Sequence, residues 1–104
     1  MKIKFSILGK PWKLRTLGKK EYSKKHGDDS VAITHVHKRY IDQSPKGTDR
    51  ATIIHECVHA WLSEICTHSA DLDEQCSEEI FAELMAKFGY QILAQAEDLF
   101  WRLK

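Results

Sequence analysis

Long apolar runs are missing from this chain of 104 residues, and no stretch approaches the roughly 18 residues that span a bilayer. The first thirty residues also lack the apolar centre of a secretory leader. The expectation is a soluble, cytoplasmic protein with no membrane partner. Cysteine is scarce: Cys57, Cys66 and Cys76 are three in number and include no Cys-x-x-Cys spacing. That excludes a disulfide framework and a thiolate zinc cluster. Cys66 and Cys76 could pair in an oxidising compartment, but free buried thiols are the expected state. Net charge is nearly absent as well, at +1, so no overall field draws the chain to nucleic acid or lipid.

What charge there is lies unevenly. Residues 1–29 carry nine Lys/Arg against three acids, whereas residues 71–98 carry eight acids opposed by Lys87 alone. Two solvated faces of opposite sign account for this pattern. Two-fifths of the residues are apolar and ten are aromatic, enough for one small core. A single domain over 1–104 is therefore expected, small enough for a bound metal to add usefully to its stability.

Alternation of polar and apolar residues over 2–8 and 12–17, broken at Gly9, Lys10 and Pro11, predicts two short strands around a turn. Residues 18–29 are polar and lysine-rich, a loop or a short helix centred on Lys20 to Lys25. Residues 31–42 are β-branched and aromatic, predicting one bent strand or a tight hairpin turning near His35 to Lys38. After Ser44-Pro45-Lys46-Gly47, Thr48 or Asp49 is suited to cap a helix running from about Arg50 to Ile65. A polar loop over 67–76 leads to a second helix from about Ser77, continuing as far as Trp101. The fold class this implies is α+β, a small antiparallel or mixed sheet packed on two core helices.

The first of those helices carries His55-Glu56-Cys57-Val58-His59. Two histidines four residues apart stack on one helix face, where both imidazoles can reach one ion. Counting 100° per residue, His55 and His59 share their side with Val58, Leu62 and Ile65, so both are expected to point inward. Glu56, one step round, is placed to take a proton from metal-bound water and is the candidate catalytic residue. Zn²⁺ is the expected metal, and a catalytic zinc needs a third protein ligand. Leu62 and Ile65 stand where a glycine and a third histidine would extend the motif. His68 lies just past the helix end and reads as a loop histidine. Glu78 and Glu79 open the next helix, and Glu78 is preferred because it falls on the apolar face of Phe81, Met85, Phe88 and Ile92. Glu79, a quarter turn away, is the alternative, and an acidic first turn complementing the helix dipole would explain one of the two.

Thr52-Ile53-Ile54-His55-Glu56-x-x-His59-Ala60, preceded by short strands and followed by an acidic helix, resembles the minimal gluzincin-type metallopeptidase domains of the ImmA/IrrE kind. The small stand-alone versions encoded by phages and prophages are the nearest in form. The likeness runs through Trp12, the segment ending at Gly27, Arg39-Tyr40-Ile41-Asp42, the motif and Glu78-Glu79-Ile80-Phe81, although only the His-Glu-x-x-His element is specific. The resemblance implies a zincin-like domain in which two histidines and a downstream glutamate hold zinc. The chain departs from the longer members in lacking both their Glu-Ala-Asn-x-x-Ala signature and a helix-turn-helix segment.

The expected activity is hydrolysis of a peptide or protein substrate. Tyr40, His35, His37 and Tyr90 are candidates to stabilise the oxyanion, and the stretch from His37 to Asp42 is a candidate to take substrate as an added strand. Two rivals stand beside it. One is a non-catalytic, zinc-stabilised protein-binding module of phage or prophage origin. The other is nucleic-acid binding through Lys10, Lys13, Arg15, Lys19 and Lys20 interleaved with Trp12 and Tyr22, which no recognised motif supports. Oligomeric state is open; Phe100 and Trp101 are the expected end of the core-facing stripe, with a dimer contact as the alternative. Cys57 is expected to be a packed thiol.

Overall fold

A computed structural model describes residues 1–65 and 74–104, with the backbone alone for 74–77 and 80. Strand β1 (Lys2–Ile7) turns into β2 (Lys10–Thr16) through Leu8 and Gly9. Both turn residues have positive φ, 50° and 81°, the backbone a two-residue hairpin needs to match the twist of its strands. Pro11, expected to interrupt, sits inside β2. It is tolerated there because the second partner of β2 joins only from Lys13 onward, so the missing N–H breaks no ladder on that side.

Helix α1 (Lys19–His26) follows, then β3 (Ala32–His35) and β4 (Tyr40–Gln43), which form the hairpin alternative for 31–42. Strand β4 inserts parallel to β2 and antiparallel to β3, giving a mixed sheet in the order β1-β2-β4-β3. The expectation that His37 to Asp42 takes substrate as an added strand is corrected: the stretch lies in the turn and in β4, which is paired on both sides, and the edge beside it is β3.

Helix α2 (Arg50–Ile65) starts where Asp49 caps it, its carboxylate accepting from the Thr52 backbone N–H at 3.2 Å and the Thr52 hydroxyl at 2.6 Å. Those bonds hold the Asp49 carboxyl below its ordinary pKa. Helix α3 (Glu74–Arg102) begins three residues before the expected Ser77 and runs for 29 residues. Among the described residues, no helix is long and apolar enough to cross a membrane.

One face of the sheet and both long helices enclose the core, in which Ile7, Trp12, Leu14, Ile41, Ile53, Cys57, Ile92 and Leu99 are almost fully buried. Trp61 joins the layers: its ring lies 5.5 Å from Phe88, and its indole N–H donates to Gln95, whose amide in turn donates to the Ser6 carbonyl. Phe100 packs against this core whereas Trp101 is 61% exposed, so the aromatic pair splits between inside and outside.

The opposite face of the sheet is polar. Asp42, with no exposed surface, accepts from the Arg15 guanidinium at 2.6 and 2.7 Å and lies 2.9 Å from Nε2 of His26 on α1. Burial alone would raise its pKa, but the hydrogen bonds and charges of Arg15 and His26 outweigh burial and hold it below the ordinary value. Lys2, Lys4 and Lys13 are exposed on the same strands, and their mutual repulsion, chiefly from Lys13, lowers the pKa of Lys2.

Candidate metal centre

Helix α2 decides where the motif points. Its buried side is formed by Ile53, Glu56, Cys57, Ala60 and Trp61, while His55 and His59 are exposed. The expectation of inward imidazoles is corrected: the histidines open outward beside half-buried Val58 and Leu62, and the adjacent carboxylate is the group turned in. Bulk explains the rotation, because Trp61 and Ile53 can fill the space between sheet and α3, and a helix with apolar residues on several sides settles on its largest ones.

The two imidazoles nevertheless converge. Nε2 of His55 and Nε2 of His59 lie 3.1 Å apart, with ring centroids at 4.7 Å and planes at 74°. Two nitrogens each about 2.0–2.1 Å from one zinc at a tetrahedral angle would stand roughly 3.3 Å apart, so the pair fits a shared ion without rearrangement of the helix. A hydrogen bond between one protonated and one bare nitrogen accounts for the same distance when no ion is bound.

Glu56 is 7% exposed, and its carboxylate accepts from the Thr34 hydroxyl on β3. Thr34 lies 3.3 Å from the Glu56 carbonyl as well, so the edge strand is tied to the motif helix at this residue. Next to this contact is a cavity of about 310 Å³ lined by Val31, Ala32, Ala51, Thr52, His55 and Glu56. One motif histidine and the motif carboxylate therefore border a single cleft between the start of β3 and the first half of α2. Cys57, fully buried behind them, has its thiol pushed up to about 12 by burial and by the nearby Glu56 charge, which leaves it an inert packed group.

Glu78 and Glu79 are both exposed on α3. The expected place of Glu78 on a core face is corrected, because the first described side chain buried on α3 is Leu84, and even Phe81 is 47% exposed. No described element packs over that end of the helix closely enough to bury it. Among the described residues, no three His, Cys, Asp or Glu side chains are grouped to hold a metal. His68, Cys66 and Cys76 lie outside the residues whose side chains are described.

The oxyanion candidates lie elsewhere. Because Thr34 and Ile41 face the helices, alternation puts His35 and Tyr40 on the opposite side of the sheet. There they stack at 4.9 Å, with the Arg15 guanidinium 4.4 Å from the Tyr40 ring. His37 is exposed in the turn, and Tyr90 is 93% exposed on α3.

Two contacts around the motif helix escaped the sequence. Thr34 is one; its only signal was a hydroxyl residue on the inward phase of a strand. Glu64 is the other, a carboxylate on α2 that accepts from the Trp12 indole at 2.9 Å and from Arg39 at 2.6 Å. Burial pushes the Glu64 carboxyl up, but those partners outweigh it and hold the pKa below the ordinary range.

No family model, curated protein or solved structure matches this chain.

Proposed function

We propose that this chain is a small zinc-dependent metallopeptidase of the gluzincin type, resembling the stand-alone ImmA/IrrE-like domains of phages and prophages. The observation that carries the reading is the 3.1 Å convergence of the His55 and His59 Nε2 atoms, with the carboxylate of the intervening Glu56 on the same cleft as His55. Zinc held there would supply a water of lowered pKa and polarise a scissile carbonyl.

His55 and His59 are the proposed metal ligands, each presenting Nε2. Glu78 is the proposed third, with Glu79 as alternative. Glu78 stands one heptad before Met85 and two before Ile92, the line of α3 that packs on the core, whereas Glu79 stands one heptad before exposed Ala86. Glu56 is the proposed general base, accepting a proton from the attacking water and returning it to the leaving amine. Thr34 holds that carboxylate in place. A peptide substrate would add antiparallel or parallel to β3, the edge strand beside the motif helix, with a side chain in the cavity beside Val31 and Thr52.

The test is Glu56→Gln, which keeps the shape of the side chain and removes its basicity. Hydrolysis of an unfolded protein substrate by the wild-type chain should fall by about 10²-fold or more in the variant, the scale of a lost general base. Equal rates in the two proteins would refute the peptidase reading.

A second reading, a zinc-stabilised protein-binding module, is favoured by one observation: the Glu56 carboxylate is buried and already engaged by Thr34. In that case His55→Ala unfolds the chain on loss of metal while Glu56→Gln leaves binding intact.

A further inference from the structure

Among the described residues, helix α3 shows a largely apolar face left exposed, with Arg50 of α2 reaching it at Glu97. Ala86, Tyr90, Leu93, Ala94, Glu97 and Trp101 fall within an arc of about 100° on the side away from Leu84, Ile92 and Leu99. Tyr90 is 93% exposed, Trp101 61% and Leu93 46%, a concentration of large side chains in water that soluble surfaces seldom carry without a partner.

We infer that this face of α3 is a homodimer surface, on which a second copy of the chain docks its own α3 antiparallel about a two-fold axis between Leu93 and Ala94. The intervals along the stripe are four, three, one, three and four residues, the same in both directions. An antiparallel copy therefore meets the stripe in register, and the opposed residues are complementary. Small Ala86 meets large Trp101, Leu93 meets Ala94, and the Tyr90 hydroxyl meets the Glu97 carboxylate. Glu97 is already held by Arg50 of α2, whose Nε donates to both carboxylate oxygens at 2.8 Å.

Charge selects the antiparallel arrangement over the parallel one. At the two ends Glu83, which pairs within its own helix with Lys87 at 3.3 Å, would stand opposite Lys104, two residues past the helix end, whose ammonium lies 4.6 Å from the Phe100 ring and 5.5 Å from the Trp101 ring. A parallel pair would instead oppose Glu83 with Glu83, Glu97 with Glu97, and the two helix dipoles head to head. The alanines at 86 and 94 let the axes approach to about 8 Å, the close end of helix packing distances. This surface does not depend on the metal-site reading.

Sedimentation equilibrium of the full chain tests it, with circular dichroism as the control for folding. The wild type should dimerise with a dissociation constant in the micromolar range, as expected for a single small interface. Ala94→Arg, at an exposed helix position, should leave helicity unchanged, should match the wild-type melting temperature at concentrations well below the dissociation constant, and should weaken association at least about tenfold. Glu83→Lys should weaken it too, and Glu83→Lys combined with Lys104→Glu should restore it. A monomer throughout the concentration range would overturn the inference. So would a dimer indifferent to Ala94→Arg, or a charge reversal that the second substitution fails to rescue.

Discussion

The hydroxyl of Thr34 on the edge strand donates to the carboxylate of Glu56 on α2, tying one margin of the sheet to the glutamate of the His-Glu-x-x-His motif. Removing that donor leaves a carboxylate that is 7% exposed without its side-chain partner. Thr34→Val, which conserves shape, should destabilise the chain by about 1–3 kcal/mol in urea unfolding. Thr34→Ser should retain most of the stability. Equal stability of the valine and serine variants would show that the hydroxyl does not support Glu56.

On the other side of the sheet, Asp42 couples stability to pH. Its folded pKa is depressed, so its contribution is present above the ordinary carboxylate value near 3.9 and is lost as the pH falls toward the lower folded value. Unfolding free energy should therefore decline below about pH 4, and Asp42→Asn should flatten part of that decline. At neutral pH the same substitution unpairs Arg15. Breaking a buried pair costs about 3–5 kcal/mol, and a value at or below the low end is expected because the Arg15 side chain is 32% exposed. An unchanged acid limb in the variant would remove Asp42 from the account.

Gly47 closes the turn over Pro45–Gly47 that leads into α2. A methyl group there would collide with the Val31 carbonyl oxygen, which accepts from the Ser44 N–H at 2.9 Å. Gly47→Ala should cost about 1–3 kcal/mol, as overpacking does, and should disturb the cavity because Val31 lines it. Melting at the wild-type temperature would show that the turn yields freely.

Local chemistry explains what was legible before the structure. Helix α2 has the expected bounds because a capping aspartate and a proline-glycine break define its start, both written within a few residues. The first hairpin was legible from alternation and turn residues, whereas residues 31–42 suited a bent strand as well as the hairpin they form. Which face of α2 would be buried was not, since Ile53, Cys57 and Trp61 compete with Val58, Leu62 and Ile65 on one short helix, and only the shape of the opposing sheet and α3 decides. For the same reason Asp42 looked like an ordinary strand residue: its partners, Arg15 and His26, are brought by the parallel pairing of β2 with β4 and by α1. The spacing of His55 and His59 needed only helix geometry to imply convergence. Their exposure needed the whole fold.

The metal content of the purified chain tests the central claim most directly. After exposure to zinc and dialysis, elemental analysis should find one zinc per chain, lost in His55→Ala and in His59→Ala, and weakened in Glu78→Ala more than in Glu79→Ala. A wild-type chain that retains no zinc, or histidine variants that retain it undiminished, would contradict the account.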